Sequence, residues 1–135
     1  MFRLFSEKKT IDDFDILTIR VSGMRLTEEY EISRKVDNAV ISLYEISYTG
    51  DGEERRLKAN AELPAGDVIS VMNDCRVLSW DGFRGRHPAH VSDGEMFSME
   101  AVVSGGRRIS ASGSENFPKG YIEFMRWLGE TVRNG

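Results

Sequence analysis

The sequence predicts an α+β fold, in which a mostly antiparallel sheet of five or six strands packs against two amphipathic helices. Segments that alternate between apolar and polar residues, separated by turns containing glycine or asparagine, occupy the first half of the chain. Two segments with apolar residues three and four positions apart follow, one in the middle of the chain and one at its end. The predicted order of elements is therefore meander, helix, hairpin, helix.

Length and composition indicate one domain. The chain has 135 residues, of which 40% are hydrophobic and 30% charged, which is enough apolar surface for one core and too much for a disordered chain. We expect a single domain over residues 14–135 and a frayed segment over residues 1–13. The net charge of -4 argues against sequence-independent binding of nucleic acid, which requires a clustered basic field.

The expected compartment is the cytoplasm. Charged side chains interrupt residues 1–9 before an apolar signal segment can form, and no apolar run approaches the length of a membrane-spanning helix. The single cysteine, Cys75, has no partner for an intramolecular disulfide, which favours a reducing compartment. We therefore expect no association with a membrane.

Four strands are predicted before the first helix. The first begins at Phe14, and the second spans residues 28–36. The third, residues 39–49, is apolar on both faces, which predicts a central strand covered by a helix on one face and by a partner or a loop on the other. A turn at residues 50–52 leads to a weaker fourth strand, residues 55–63.

Stripes of apolar residues identify the two helices. The first stripe consists of Val68, Val71, Met72, Cys75 and Leu78, and the second of Tyr121, Phe124, Met125, Leu128 and Val132. Pro64 and Asp67 suit the first turn of the first helix, and Pro118 is the predicted start of the second. Cys75 is expected to be a small core residue, because it belongs to the first stripe.

A hairpin is predicted over residues 95–113. A three-residue loop, residues 105–107, sets Val103 opposite Ile109, so that apolar residues share one face of the sheet. A loop made of the two glycines alone would set Val103 opposite Arg108 and mix the faces. The pattern therefore favours the longer loop, with a glycine in the left-handed conformation.

Two irregular segments flank the hairpin. Residues 80–94 have neither helical nor strand periodicity, and a loop of this length in a compact domain is commonly functional or mobile. Residues 112–118 form a shorter segment before the last helix. Because the hairpin begins where the first segment ends and ends where the second begins, both segments are expected to meet at the same edge of the sheet.

The predicted site in these two segments binds an anion or a carboxylate. Arg84 or Arg86 would complete it, next to the free backbone N–H groups at the start of the last helix. The candidate ligand-binding residues are Trp80, Phe83, Arg84, Arg86, Ser114 and Asn116, with the two aromatic rings as an apolar wall. In the alternative interpretation, Asn116 or Ser114 caps the helix, and the aromatic rings pin the loop to the core.

Candidate metal ligands are His87 and His90, with Asp93 as a third. Pro88 prevents a helix at this point, so the two histidines need not share a face, and no spacing identifies a further ligand. No nucleophile is evident beside either histidine. We therefore expect no cofactor and no catalytic residue, and the alternative is a small hydrolase or metal-dependent enzyme that uses these three residues.

Two runs in the last third of the chain carry a resemblance. Residues 80–83 followed by residues 93–97, and residues 109–118 together with Tyr121, resemble uncharacterised proteins of Firmicutes-type bacteria. The resemblance implies a bacterial origin, and it implies no particular activity, cofactor or catalytic residue.

The function favoured by these observations is that of a non-catalytic binding or protein-interaction module. Its binding surface would be the segment pair 80–94 and 112–118, and its partner a protein or a small anionic ligand. An exposed sheet edge is an alternative surface, at which the strands of two copies pair to form a homodimer. An enzyme is the less favoured class.

Overall fold

In the computed structural model, which describes residues 10–92 and 94–134, one sheet contains seven strands. The strands are β1 (Phe14–Ser22), β2 (Thr27–Arg34), β3 (Asn38–Thr49), β4 (Gly52–Pro64), β5 (Arg84–Gly85), β6 (Met96–Val103) and β7 (Arg107–Ser114). The helices are α1 (Ala65–Asp74), a short 3-10 helix (Val77–Trp80) and α2 (Tyr121–Asn134). The strand order is β4-β3-β2-β1-β6-β7-β5, and every neighbouring pair is antiparallel except β5 and β7.

The α+β class, the mostly antiparallel sheet and the two helices are confirmed, whereas the predicted count of five or six strands is too low. The additional strand is β5, which has 2 residues and pairs in parallel with β7. It lies inside the segment predicted to be irregular, where so short a strand cannot show alternation. Strand β6 pairs with β1, so the hairpin extends the sheet on the side opposite β2.

Both α-helices pack on the same face of the sheet. The least exposed core residues include Leu17, Ile19, Ile32, Ile41 and Met99 from the sheet and Val68, Met72, Phe124 and Leu128 from the helices. Burial of each such side chain contributes about 1.5–3 kcal/mol. The opposite face, which carries Ile16, Thr18 and Arg20 of β1, is called the helix-free face below.

Strand β3 has one face covered by the helices, as predicted. Ala39 and Ile41 are buried on that face, whereas Val40 and Tyr44 are partly exposed on the helix-free face. The guanidinium of Arg55 lies 3.9 Å from the centroid of the Tyr44 ring and covers part of it. Cover of the remaining apolar surface by a partner stays a prediction.

Strand β4 forms one edge of the sheet and is longer than predicted. It spans 13 residues, Gly52–Pro64, instead of residues 55–63. Its first half is exposed and densely charged. Apolar alternation is absent there, so the beginning of the strand has no signature in the sequence.

The hairpin has a three-residue loop as predicted, but the loop is residues 104–106 rather than 105–107. Val103 consequently lies opposite Arg107 instead of Ile109. A register shift of two residues leaves every side chain on its own face, so alternation cannot distinguish the two registers. All three loop residues have positive φ, from 47° to 110°.

The helix boundaries differ from the prediction. Pro64 caps α1 instead of lying in its first turn, and α2 begins at Tyr121 instead of at Pro118. Gly120 separates the proline from the helix with a φ of 91°, and a Cβ at this position would lie 2.0 Å from the carbonyl oxygen of Cys75. Glycine is therefore required where the chain enters α2. Within the described ranges, neither helix is long and apolar enough to cross a membrane.

Ile11 adds to the core before β1 begins. Its side chain is buried, and its backbone N–H donates to Oδ1 of Asn73 at 2.7 Å. Nδ2 of Asn73 donates in return to the carbonyl oxygen of Ile11 at 2.9 Å. Of the segment predicted to fray, residues 1–9 lie outside the described residues.

Candidate functional site: a groove on the helix-free face

The two segments that flank the hairpin meet at one edge of the sheet, as the hairpin predicts. The backbone N–H of Gly82 donates to the carbonyl oxygen of Ser110 at 2.8 Å, and that of Ser112 donates to Phe83 at 3.0 Å. Nδ2 of Asn116 donates to the carbonyl oxygen of Arg86 at 3.2 Å. The long segment is therefore fixed to the outer side of β7 by backbone geometry.

Two glycines allow this close approach. Gly85 of β5 and Gly113 of β7 lie opposite each other. A Cβ at Gly85 would lie 2.6 Å from the carbonyl oxygen of Asn116, and one at Gly113 would lie 2.1 Å from the same atom. Larger residues at either position would push the two segments apart.

Trp80 and Phe83 pin the long segment to the core. Trp80 is 1% exposed, and its Nε1–H donates to the carbonyl oxygen of Lys119 at 2.8 Å. Its ring packs edge-on against Phe124, with the ring centroids 5.6 Å apart. The ring of Phe83 packs against Phe97 at 6.3 Å. The aromatic wall predicted for the site is therefore part of the core, and Trp80 has almost no surface left for a ligand.

The other predicted ligand residues do not converge on the start of α2. Ser114 and Asn116 bind residues of the long segment, so neither side chain caps the helix. Arg84 lies on the helix-free face, across the sheet from α2. The Arg86 side chain contacts none of the described residues through a hydrogen bond or ion pair. The predicted combination of an arginine with the helix terminus is therefore not assembled.

A groove of about 430 Å³ lies on the helix-free face beside the long segment. It crosses β1, β6 and β7, with Ile16 and Val102 as apolar lining and Thr18 and Ser110 as hydroxyl-bearing lining. Its charged lining residues are Glu100 of β6 and Arg108 of β7. They are diagonal neighbours, because Glu100 pairs with Ser110 and Arg108 pairs with Val102. The groove therefore offers one acid, one base and an apolar floor.

Arg84 extends this groove from the long segment. Pairing of β5 with β7 places Arg84 opposite Ser112, and its guanidinium binds the neighbouring Ser110. Nη2 donates to the Ser110 hydroxyl at 2.9 Å, and Nη1 donates to the carbonyl oxygens of Phe83 at 2.7 Å and Ser110 at 3.2 Å. The Nε–H of Arg84 stays free of the described residues. A guanidinium held in this way can still donate side-on to an anion.

No acid within the described residues is ion-paired with Arg84 or Arg108, and Glu100 has no basic partner there. The opposite situation holds on β1, where Arg20 binds Glu53 at 2.9 Å and Glu29 at 3.0 Å. The hydrogen bond from Arg20 to Glu53 lowers the pKa of that carboxyl group. Unpaired charges around the groove are therefore available to a ligand.

Sequence reasoning identified Arg84 but missed Glu100, Arg108 and the apolar floor. Glu100 and Arg108 are exposed positions of alternating strands, a pattern that most surface residues share. Their convergence depends on the pairing of β1 with β6, which local periodicity does not encode.

His87 and Ser114 form an unexpected pair. Nδ1 of His87 lies 2.7 Å from the hydroxyl oxygen of Ser114, and Nε2 contacts the carbonyl oxygen of Val91. Because a carbonyl oxygen only accepts, Nε2 carries a proton, and in the neutral ring Nδ1 accepts from the serine. This is the proton arrangement of a serine with a histidine base.

The metal site has no support from the described residues. His90 is exposed, and Asp93 lies outside the described residues. Within the described ranges, no group of three or more His, Cys, Asp or Glu side chains could hold a metal ion. Metal binding by His87, His90 and Asp93 therefore stays a prediction.

The chain matches no protein-family model, and none of the curated proteins compared with it is significantly similar. The resemblance to Firmicutes-type proteins likewise stays a prediction. Function is therefore inferred from the chemistry of the groove.

Proposed function

We propose that the protein is a non-catalytic binding module whose groove holds the anionic end of a small ligand or of a protein partner. The observation that carries this proposal is the pair of guanidinium groups, Arg84 and Arg108, on either side of Ser110 without an acidic partner among the described residues. An anionic group placed there would receive charge-assisted hydrogen bonds, which contribute about 1.5–3 kcal/mol each.

The immobilisation of Arg84 favours binding. Its guanidinium is already held by backbone carbonyl groups, so a ligand does not have to order a flexible side chain. Ile16 and Val102 would contact the apolar part of the ligand, and Glu100 would accept from a donor group. The volume of the groove, about 430 Å³, lies within the range of small-molecule sites.

The test is a titration with sodium phosphate and sodium acetate, followed by amide chemical shifts at constant ionic strength. We expect shifts at Arg84 and along residues 108–112. Arg84→Ala and Arg108→Ala should each weaken the interaction by about tenfold. Arg126→Ala, which removes an exposed arginine of α2, is the matched control and should change nothing. Absence of shifts at the groove, or equal loss in the control, would falsify the proposal.

The second candidate function is hydrolysis, and the specific observation in its favour is the pair of Ser114 and His87. In this mechanism the Ser114 oxygen attacks the acyl carbon of an ester while His87 takes the hydroxyl proton, the ester C–O bond breaks and the departing alcohol receives that proton, and water then releases the acid from the acyl-serine. A fluorophosphonate reagent should then label the protein at Ser114. Labelling that is lost in Ser114→Ala and kept in Ser112→Ala supports this function, and an unlabelled wild-type protein excludes it.

The predicted homodimer is proposed to form through β4. This strand is the free edge opposite β5, and its exposed half spans Gly52 to Lys58. An antiparallel pair centred on Arg55 would set Glu54 of each copy opposite Arg56 of the other, while the two facing Arg55 side chains stay bound to Glu29 and Glu31 of their own copies. Light scattering over a wide concentration range should detect the dimer, and Arg56→Glu should weaken it. A mass that stays monomeric contradicts it.

The proposed setting is the bacterial cytoplasm. Cys75 is buried at the end of α1, and burial raises the pKa of its thiol. A buried thiol of this kind is a packing residue that needs no oxidised partner. The resemblance described above supports the bacterial origin.

A further inference from the structure

A second cleft, of about 340 Å³, lies on the other side of the sheet from the groove, between α2 and the ends of β1 and β2. Its lining residues are Val21, Glu28, Tyr30, Glu95, Tyr121, Ile122 and Met125. The lining therefore combines apolar side chains with two tyrosines and two acids, and none of its described residues is basic.

Tyr121 carries an unmet hydrogen-bonding requirement in this cleft. The residue is 3% exposed, and its ring stacks on Phe117 with the ring centroids 4.7 Å apart. Its hydroxyl oxygen is buried and has no hydrogen-bond partner among the residues that the structure describes. A buried hydroxyl without a partner is unfavourable, and a ligand that supplies the partner would gain free energy on binding.

Glu95 adds an uncompensated negative charge. Glu28 is paired with Lys58 at 2.9 Å, but no basic side chain of the described residues pairs with Glu95. Glu115 lies next to it, and one carboxylate oxygen of Glu115 accepts from the Glu95 backbone N–H at 2.5 Å. Burial, and then the charge of Glu115, raise the pKa of the Glu95 carboxyl group. A cation in the cleft would relieve both effects.

We propose that this cleft binds a protonated amine that carries a small apolar body. The ammonium group would donate to the Glu95 carboxylate and to the Tyr121 hydroxyl oxygen, and the apolar body would contact Val21, Ile122 and Met125. An anion would be repelled by Glu95 and Glu115. A divalent metal would lack ligands, since no metal-binding cluster exists within the described ranges.

The probes are benzylamine and benzyl alcohol, which have the same ring and differ in the charge of the polar group at neutral pH. In amide-shift titrations, benzylamine should shift residues 21, 95, 122 and 125, with an affinity about tenfold or more above that of benzyl alcohol. Equal affinities, or benzylamine shifts confined to other parts of the chain, overturn the proposal.

Two variants locate the charge and the hydroxyl. Glu95→Gln should remove the preference for the amine, whereas Glu123→Gln, which changes an exposed acid of α2 outside this cleft, should keep it. Tyr121→Phe keeps the ring packing and should weaken benzylamine several-fold, and more than it weakens benzyl alcohol, because a charged donor makes the stronger hydrogen bond to the lost hydroxyl oxygen. A preference that survives Glu95→Gln would contradict the assignment.

This site and the groove are tested separately. Phosphate is expected to shift residues 108–112 and not the cleft, and benzylamine the reverse. Failure of one titration therefore leaves the other proposal standing.

Discussion

Among the described residues, charged side chains on the helix-free face form ion pairs on strands β1 to β4 but not on strands β6 and β7. On β1 to β4 the charged side chains form a connected network, in which Arg20 joins Glu29 to Glu53 and Arg55 joins Glu29 to Glu31. On β6 and β7, Glu100 and Arg108 are left without ion-pair partners among the described residues. Both halves belong to one sheet, so strand geometry alone does not explain the difference.

The charged side chains of the first half, β1 to β4, form ion pairs that hold strands together, whereas Glu100 and Arg108 have no such role among the described residues. The exposed half of β4 has no apolar residues facing the core, so cross-strand ion pairs are the main side-chain contacts that hold it to β2 and β1. Strand β6 buries Phe97, Met99, Ala101 and Val103 against the core, and its partner β7 buries Ile109 and Ala111, so apolar contacts hold these two strands. On the helix-free face of these strands, Glu100 and Arg108 therefore have no structural ion pair to break among the described residues.

The largest expected effect comes from detaching the segment that carries Arg84. Trp80→Ala should lower the free energy of unfolding by about 3–5 kcal/mol, because it leaves a cavity beside Phe124 and an unpaired carbonyl group at Lys119. Urea unfolding measures this loss, and phosphate binding should weaken in parallel. Trp127→Ala, at the half-buried margin of α2, is the control and should cost clearly less. Equal losses would mean that Trp80 does not anchor the segment.

The next prediction compares an ion-paired arginine of β1 with an unpaired arginine of β7. Arg20→Ala should lower the free energy of unfolding by about 1–2 kcal/mol, because Glu29, whose side chain is only 13% exposed, loses one of its cationic partners. Arg108→Ala should change it by less than about 0.5 kcal/mol. Urea unfolding of the two variants side by side is the measurement. Similar values for both would remove the distinction between paired and unpaired charges.

A smaller effect should appear in the pH dependence of the paired half. The lowered pKa of Glu53 means that its ionised form stabilises the fold above the usual carboxyl range, and that this contribution disappears as the pH falls through the lowered pKa. Glu53→Gln should therefore melt below wild type at neutral pH and equal it in strong acid. Thermal melting across pH checks this, with Glu54→Gln as the control. A constant difference at all pH values would contradict it.

The smallest expected effect concerns Glu95, for which stability changes with pH in the opposite direction from Glu53. Its raised pKa means that the folded protein holds the proton more tightly than the unfolded chain does. Stability therefore falls as the pH rises from the usual carboxyl pKa to the raised one. Glu95→Gln should be more stable than wild type above this window, by less than about 1 kcal/mol, and equal below it. A variant that is less stable at neutral pH would show that ionised Glu95 is stabilising.

The parts of the fold that sequence predicts are those with local signals. The stripe from Tyr121 to Val132 identifies α2, because the apolar residues of a buried helix face recur every three or four positions in the sequence. The hairpin loop length was also correct. Its register was not, since shifts by two residues preserve both faces and the choice depends on the conformations of residues 104–106. β4 begins earlier than predicted, because ion pairs with distant strands replace apolar alternation there.

The candidate site was predictable only in part. The convergence of the two flanking segments follows from the hairpin alone, and the role predicted for Arg84 in ligand binding stays a prediction. The groove was not, because its floor joins Ile16 of β1 to Val102 of β6, which are far apart in the chain. The direction in which Arg84 points depends on β5, a pairing too short to detect from sequence.

The central position of β1 has a consequence for how the chain folds. Phe14 pairs with Val103, so β1, the first strand of the described residues, acquires its second neighbour only after the meander, α1 and the long segment have been made. Closing so large a loop raises the contact order and slows the rate-limiting step. Until α2 emerges, the inner surface of the nascent meander is exposed and open to aggregation. Molecular chaperones that bind apolar surface would therefore bind the nascent meander before β6, β7 and α2 have been synthesised.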